Sequence, residues 1–163
     1  MHFNLVDRVL ERSGDTIITV KTCTSAEEYL RDHFPDFPIL PGVMMLEAMV
    51  QAGRAWVGGL SGDEGFGAAT VQPMVIAETR QVVYSAMVRP GDTLRCTVTC
   101  RGRGDDGVYA FQGAGTVWSP GDDSPRDAVK GRFKLRPIQR AAVRRSSAGH
   151  PPATPPASPA TPA

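Results

Sequence analysis

Two residues in the first third of the chain have complementary proton chemistry. An imidazole titrates near neutral pH, so His33 is suited to removing a proton from a substrate. Glu47 stands among apolar neighbours, and burial favours the neutral form of a carboxyl group, which a general acid requires. We therefore predict that His33 is a general base and Glu47 a general acid. The alternative is a structural Glu47 that pairs with Arg54 or with a backbone amide.

A third component precedes a predicted helix, in the sequence Leu40-Pro41-Gly42-Val43. The free N–H groups at the start of a helix carry a partial positive charge. Such groups stabilise negative charge that develops on a carbonyl oxygen during a reaction. Gly42 and Val43 are therefore predicted to bind a substrate carbonyl through their backbone amides.

The predicted helix holds the acid. Over residues 43–57, apolar residues cover nearly every side of a helical wheel, which is typical of a buried helix. Pro41 suits the position just before a helix, and Gly58-Gly59 is expected to end it. Glu47 and Gln51 lie one turn apart on this helix, so their side chains should be neighbours.

The base lies between this helix and an N-terminal hairpin, whose turn is predicted at Gly14-Asp15. Pro35, Pro38 and Pro41 disfavour regular structure, so residues 25–40 should form an extended, ordered loop after one helical turn. The predicted strands cover residues 6–13, 16–22, 68–85, 93–101, 108–117 and 128–135. Pro73 is a misfit in its strand and indicates a bulge or a sheet edge. Together these elements predict an α+β domain in which an antiparallel sheet wraps around one long buried central helix.

The composition argues against several classes of function. A net charge of +1 gives little basis for binding nucleic acid, which requires many neutralised phosphates. No run of about 18 apolar residues occurs, so no membrane span is predicted. The first residues lack the pattern of a signal peptide, so we expect a cytoplasmic protein.

Two further expectations concern the cysteines and the end of the chain. Cys23, Cys96 and Cys100 lack metal-binding spacing, so we expect no metal site, and their odd number fits a reducing compartment. Cys96 and Cys100 lie on one face of a predicted strand and are expected to be buried. Residues 140–163 are rich in Pro, Ala, Ser and Thr and are expected to form a disordered tail. Residues 1–139 then form one domain.

A long motif connects the predicted site residues. The sequence His33-Phe34-Pro35-x-x-Pro38-x-x-Pro41-Gly42-Val43-x-x-x-Glu47-Ala48-x-x-Gln51 resembles the signature of FabZ-type 3-hydroxyacyl-[acyl-carrier-protein] dehydratases. The opening segment 3–10 and the turn Pro90-Gly91-Asp92 also resemble that family. The resemblance extends over residues 3–137.

The resemblance implies a hotdog fold and a homodimer, or a trimer of dimers, with active sites at the dimer interface. It implies that His33 removes the C2 proton of a (3R)-3-hydroxyacyl thioester. Glu47 then protonates the departing C3 hydroxyl, directly or through water, to give a trans-2-enoyl product. Gly42 and Val43 polarise the thioester carbonyl, and Gln51 supports Glu47. No bound cofactor or metal is implied, because the substrate carries phosphopantetheine on its acyl carrier protein.

Some features depart from the family pattern or leave alternatives open. Asp32 replaces the usual Gly before the histidine, and closely spaced basic residues before Pro90 are missing. Four arginines are candidates to replace those basic residues in docking the carrier: Arg80, Arg89, Arg101 and Arg103. Tyr84, Phe66 and Met87 either line an acyl tunnel or pack in the core. Glu rather than Asp at position 47 favours dehydration without isomerisation of the double bond. The alternative functions are a hotdog acyl thioesterase and a non-catalytic hotdog subunit that binds acyl carriers.

Overall fold

A computed structural model describes residues 4–60 and 73–138. These residues form six strands, one 3₁₀ turn and one α-helix: β1 (Arg8–Ser13), β2 (Thr16–Thr22), the 3₁₀ turn (Glu28–Leu30), α1 (Gly42–Leu60), β3 (Met74–Tyr84), β4 (Thr93–Arg103), β5 (Tyr109–Trp118) and β6 (Arg126–Pro137). The strands form one sheet in the order β1-β2-β4-β5-β6-β3, and every neighbouring pair is antiparallel. This confirms the predicted α+β architecture.

The core lies between α1 and one face of the sheet. Buried and exposed residues alternate along β5 and most of β4, as expected for strands with one covered face. An aromatic cluster of Trp56 with Phe111 and Phe133 links the helix to β5 and β6. The helix approaches β5 closely at Gly113, where an added Cβ would lie 2.6 Å from the sulfur of Met49. A side chain at Gly113 would therefore require the Met49 side chain to move.

The helix continues past its predicted end. Gly58-Gly59 was expected to terminate it, but α1 runs to Leu60, so that prediction is wrong. Arg12 from β1 lies against this end of the helix and donates hydrogen bonds to the carbonyl oxygens of Ala55 and Trp56. A cation near the C-terminal end of a helix is favourable. A Cβ at Gly59 would overlap the Arg12 guanidinium, which would then have to move.

The helix is also less uniformly buried than predicted. Met49, Val50 and Ala52 in its middle are fully buried, whereas Val43 in its first turn is 65% exposed. The strand β3 lies at one edge of the sheet, with Pro73 just before it. This agrees with the edge interpretation of Pro73.

The structure also shows the helical turn before the loop, the strand boundaries, the hairpin turn and the cysteines. The helical turn before the loop is a short 3₁₀ turn, and the strand boundaries differ from the predicted ones by a few residues. Gly14 adopts a positive φ of 52° in the hairpin turn, where glycine is favoured. Cys96 is buried as predicted, whereas Cys100 is only partly buried, and Cys23 is also buried. The predicted tail and the first part of the strand at 68–85 lie outside the described residues.

None of the helices in the described segments combines the length and apolarity that crossing a bilayer requires.

Candidate active site

The His33 loop is ordered by its own backbone hydrogen bonds. The N–H of Ile39 donates to the carbonyl of His33 over 2.9 Å, and Phe34 and Phe37 exchange backbone bonds of 3.2 and 3.1 Å. The peptide bond between His33 and Phe34 is cis. Because Phe34 and Phe37 are joined by two backbone hydrogen bonds, the loop reverses direction between them, and the prediction of an extended path was wrong.

The orientation of the His33 ring is fixed by the same loop. Its Nδ1 lies 3.0 Å from the carbonyl oxygen of Ile39. Because a carbonyl oxygen only accepts hydrogen bonds, the proton lies on Nδ1 and a neutral ring carries its lone pair on Nε2. The ring stacks on Phe34, with centroids 4.5 Å apart. His33 thus presents an oriented, basic Nε2.

A turn on the neighbouring segment supports the end of the loop. The N–H of Leu40 donates to the carbonyl of Val88 over 2.8 Å. Cys23 exchanges two backbone bonds with this turn, accepting from Gly91 at 2.8 Å and donating to Asp92 at 2.9 Å. Gly91 has a φ of 96°, which explains the glycine in the Pro90-Gly91-Asp92 motif.

An ion-pair cluster holds the start of the loop. The buried Lys21 Nζ lies 2.8 Å from Glu27, which directly precedes the 3₁₀ turn, and 3.1 Å from Asp7. Burial alone would lower the pKa of Lys21, but the carboxylates of Glu27 and Asp7 outweigh this effect and raise it. The charged lysine therefore connects β2 to the segment that leads into His33. Sequence reasoning missed this cluster, because its members lie on separate elements of the fold.

Glu47 is held through one of its two carboxylate oxygens. Its Oε1 accepts a hydrogen bond of 2.7 Å from Nη1 of Arg54 and one of 3.2 Å from Nε2 of Gln51. Gln51 in turn accepts a bond of 2.8 Å from the N–H of Leu5, and Arg54 Nε donates to the carbonyl of Met74 over 3.0 Å. The structure thus places Gln51 beside Glu47 as predicted, while its role remains a prediction.

The surroundings of Glu47 differ from the isolated buried acid that the sequence suggested. Its side chain is 26% exposed and forms an ion pair with Arg54, whose side chain is 36% exposed. The pairing with Arg54 is the contact considered as an alternative above. This ion pair does not exclude proton transfer by Glu47. Its Oε2 accepts no hydrogen bond from the described residues and remains available.

The amides of Gly42 and Val43 are available at the start of α1. The N–H groups of Met44 and Met45 both donate to the carbonyl of Pro41. In the described part of the chain, neither the Gly42 nor the Val43 N–H donates a hydrogen bond to another group. These two amides therefore have the free donors that carbonyl binding requires.

A residue from β3 covers Gly42. A Cβ added to Gly42 would lie 3.1 Å from two carbons of the Tyr84 ring. Tyr84 is 44% exposed and Met87 is 50% exposed, so neither is a core residue, and Phe66 lies outside the described residues. Partial burial raises the pKa of Tyr84, so its phenol stays protonated at neutral pH.

The structure brings some predicted site residues together and keeps others apart. Glu47, Gln51 and Arg54 are in direct contact, whereas no hydrogen bond or ion pair joins His33 to Glu47 within one chain. Sequence reasoning missed the packing of Tyr84 on Gly42, because the spacing of these residues gives no indication of a tertiary contact.

The four candidate arginines do not form a single cluster. Arg89 lies over the Phe37 ring, 4.4 Å from its centroid, and so belongs to the His33 loop region. Arg80 and Arg101 instead line a cavity of about 430 Å³ on the sheet face that points away from α1. Arg103 lies over the ring of Tyr109. Only Arg89 contacts the loop that carries the predicted base.

Known proteins similar to this chain share its sequence pattern and its fold. Residues 1–120 match the family of FabA-like domains. The chain is 41% identical over 95 residues to the 3-hydroxyacyl-[acyl-carrier-protein] dehydratase FabZ of Streptococcus pneumoniae (strain Hungary19A-6), an alignment that covers 58% of this chain and 64% of the relative. The chain thus spans less than two thirds of that relative's length.

Solved structures with low sequence identity have the same fold. The dehydratase heterocomplex ApeI:P of Xenorhabdus doucetiae has a TM-score of 0.65 at 16% identity, covering 89% of this chain and 90% of the other. The acetyl-CoA-bound protein smu.793 of Streptococcus mutans UA159 has a TM-score of 0.57 at 15% identity, over 85% and 92%. The hexameric thioesterase y2039 of Yersinia pestis has a TM-score of 0.56 at 12% identity, over 75% and 86%. These similarities confirm the hotdog fold, and they include proteins of more than one activity.

Proposed function

Because the chain belongs to the family of FabA-like domains, we propose that it dehydrates (3R)-3-hydroxyacyl thioesters to trans-2-enoyl thioesters in fatty acid or related lipid biosynthesis. The observation that carries this proposal is the hydrogen bond from His33 Nδ1 to Ile39, which leaves Nε2 as an oriented base. A thioester activates its C2 hydrogen, and such a base is what the first proton transfer requires.

In the first half of the reaction, His33 removes the C2 proton. Negative charge then develops on the thioester oxygen, where the free amides of Gly42 and Val43 stabilise it. The partial positive charge at the start of α1 acts in the same direction.

In the second half, the bond between C3 and its hydroxyl oxygen breaks as the double bond forms. Glu47 supplies the proton from Oε2, directly or through water, so that the hydroxyl leaves as water. Protonation at Oε2 is compatible with the observed contacts, because Oε1 continues to accept the bonds from Arg54 and Gln51. Gln51 supports Glu47 and fixes it relative to Leu5.

A homodimer, or a trimer of such dimers, completes the site in this proposal. No hydrogen bond or ion pair joins His33 to Glu47 in one chain, and in this proposal His33 of one subunit faces Glu47 of the other. Large apolar side chains are exposed on the His33 loop, at the start of α1, on β3 and just after it: Phe34 (52%), Val43 (65%), Ile76 (39%), Tyr84 (44%) and Met87 (50%). Such exposed apolar surface, together with the free edge of β3, is typical of a surface that a second copy covers.

Mixing two variants with strongly reduced activity tests this shared site. A heterodimer of His33→Ala and Glu47→Gln contains one site with both groups intact if the site is shared. Activity should then return on mixing and subunit exchange, up to one intact site per heterodimer. If each chain holds its own complete site, mixing restores nothing.

The substrate is proposed to arrive as a phosphopantetheine thioester on acyl carrier protein in the cytoplasm. Such carriers are acidic, and Arg89 is the candidate arginine that lies beside the His33 loop. The described residues contain no cluster of metal-binding side chains. The proposed steps use only the proton-transfer groups and backbone amides named above.

A direct assay distinguishes this function from its alternatives. Purified protein is given a 3-hydroxyacyl thioester and the corresponding trans-2-enoyl thioester on acyl carrier protein, and both interconversion and free-thiol release are followed. We expect interconversion without thiol release. Thiol release without interconversion would indicate a thioesterase, which the shared fold allows. Binding without either reaction would indicate a non-catalytic subunit.

A further inference from the structure

We infer that Arg54 is a positioning residue that holds Glu47 through one oxygen and so directs the other oxygen to the substrate. The inference rests on the proposed dehydratase function, because it assigns Arg54 a task in that reaction. It concerns a residue that does not itself touch the reacting atoms.

Arg54 contacts Glu47 and a different element at the same time. Its Nη1 donates to Oε1 of Glu47 over 2.7 Å, while its Nε donates to the carbonyl of Met74 over 3.0 Å. Met74 is the first residue of β3. The planar guanidinium thus has one nitrogen fixed by the sheet and another fixed on the carboxylate. Because the Arg54 guanidinium binds both β3 and Glu47, it fixes the position of the Glu47 carboxyl group relative to β3.

A second hydrogen bond to Oε1 of Glu47 restricts rotation of the carboxyl group. Gln51 donates to the same oxygen over 3.2 Å. Since both donors use Oε1, rotation of the carboxyl group would break two hydrogen bonds at once. Oε2 is therefore kept in one place, and its position is defined before substrate binds.

Fold stability does not explain this contact. The side chains of Arg54 and Glu47 are 36% and 26% exposed, and partly exposed ion pairs contribute little to stability. Precise placement of a reacting group, in contrast, has large effects on rate, since a displacement of about 1 Å can reduce the rate roughly 100-fold. Removing Arg54 should therefore affect turnover far more than folding.

The test compares Arg54→Met and Arg54→Lys with wild type in the full chain. Arg54→Met should lower kcat by roughly 10- to 100-fold with a KM change below about twofold, because Arg54 acts on Glu47 and not on the substrate. Arg54→Lys should recover only part of kcat, since a single ammonium group replaces the two-pronged contact with Glu47 and Met74.

A matched control is Arg12→Met, which removes an arginine that also binds α1 but contacts the carbonyls of Ala55 and Trp56 and not Glu47. Arg12→Met should leave kcat within about twofold of wild type, although its melting temperature is expected to fall. A similar loss of kcat in Arg12→Met would show that any disturbance of α1 reduces turnover, and would overturn the inference.

A double-mutant cycle determines whether Arg54 acts through Glu47. In the Glu47→Gln background, adding Arg54→Met should change kcat by less than about twofold. An undiminished kcat in Arg54→Met alone, or an equal loss in both backgrounds, would overturn the inference.

Crystal structures of wild type and Arg54→Met separate this inference from the proposed function. If wild type shows no dehydration at all, the proposed function fails, and the position of the Glu47 carboxyl group still decides the role of Arg54. A displaced or disordered carboxyl group in Arg54→Met would support positioning by Arg54. An unchanged carboxyl group would contradict it.

Discussion

Nδ1 of His33 lies 3.0 Å from the carbonyl oxygen of Ile39, so the loop that carries the imidazole also determines which of its nitrogens is basic. The same two residues share a second bond, from the Ile39 N–H to the His33 carbonyl. Two hydrogen bonds between one pair of residues thus close the loop and orient the ring. The loop needs no contact with Glu47 to achieve this, which is compatible with a site completed by a second subunit.

The contact between Gly42 and Tyr84 should limit the size of residue 42. Gly42→Ala places a Cβ about 3.1 Å from the Tyr84 ring, so the ring or the start of α1 must shift. We expect kcat/KM to fall by roughly 10-fold as the carbonyl-binding amides move. The measurement is steady-state kinetics of Gly42→Ala, Tyr84→Ala and the double variant. Adding Tyr84→Ala to Gly42→Ala should restore part of the activity. If Gly42→Ala lowers kcat/KM equally with and without the Tyr84 ring, the steric explanation is wrong.

Arg89 should matter for substrates on a carrier protein but not for short analogues. Its guanidinium lies over Phe37 beside the His33 loop, and a charge at the rim of an interface mainly affects encounter with a charged partner. Arg89→Ala should raise KM for acyl carrier protein substrates by roughly 3- to 10-fold at low salt, and change KM for the pantetheine thioester by less than about twofold.

The control for Arg89 is Arg101→Ala, since Arg101 lies on the sheet face that points away from α1. Arg101→Ala should have a wild-type KM for both the acyl carrier protein substrate and the pantetheine thioester. If Arg101→Ala raised KM for the carrier substrate and Arg89→Ala did not, the carrier would dock on the outer face of the sheet.

Stability should fall at alkaline pH because of the buried thiols. Burial raises the pKa of Cys96 from 9.0 to about 12 and that of Cys23 from 9.0 to about 11. Above pH 9 the unfolded chain releases thiol protons that the folded chain retains, so the free energy of unfolding decreases as pH rises from about 9 to 12. Cys96 should account for roughly 1–2 kcal/mol of the loss at about pH 10.5.

Denaturant unfolding at about pH 8 and pH 10.5 measures this effect. Cys96→Ala should lose less stability than wild type between the two values, although it starts from a lower stability because of the cavity. The raised pKa of Lys21 acts in the same direction. In Cys96→Ala, the decrease in the free energy of unfolding with rising pH should therefore become smaller but not vanish. Equal losses in wild type and Cys96→Ala would contradict the assignment to this thiol.

The parts of the structure that follow from local periodicity were predictable. The spacing of Glu47 and Gln51 places both on one face of a helix, and their hydrogen bond follows from that spacing. The end of α1 was not predictable, because Arg12 of β1 contacts the C-terminal part of the helix, and residue spacing does not reveal such a tertiary contact. Glycine preferences describe an isolated helix, and a tertiary contact overrides them here.

The electrostatic setting of the site was only partly predictable. The apolar residues around Glu47 on the helical wheel suggested that its side chain is fully buried. In the structure, Glu47 and Arg54 are both partly exposed on the side of α1 that faces the start of β3. Which residues cover a helix depends on strand order and register, which the sequence does not show directly. For the same reason the contact of Tyr84 with Gly42 emerged only from the structure.

The most direct test of the central claim is the turnover of 3-hydroxyacyl thioesters on acyl carrier protein by wild type and His33→Ala. The account predicts that wild type dehydrates this substrate and that His33→Ala, while folded, is slower by roughly 10²- to 10⁴-fold, since it lacks the base. A folded His33→Ala with wild-type kcat would contradict the account.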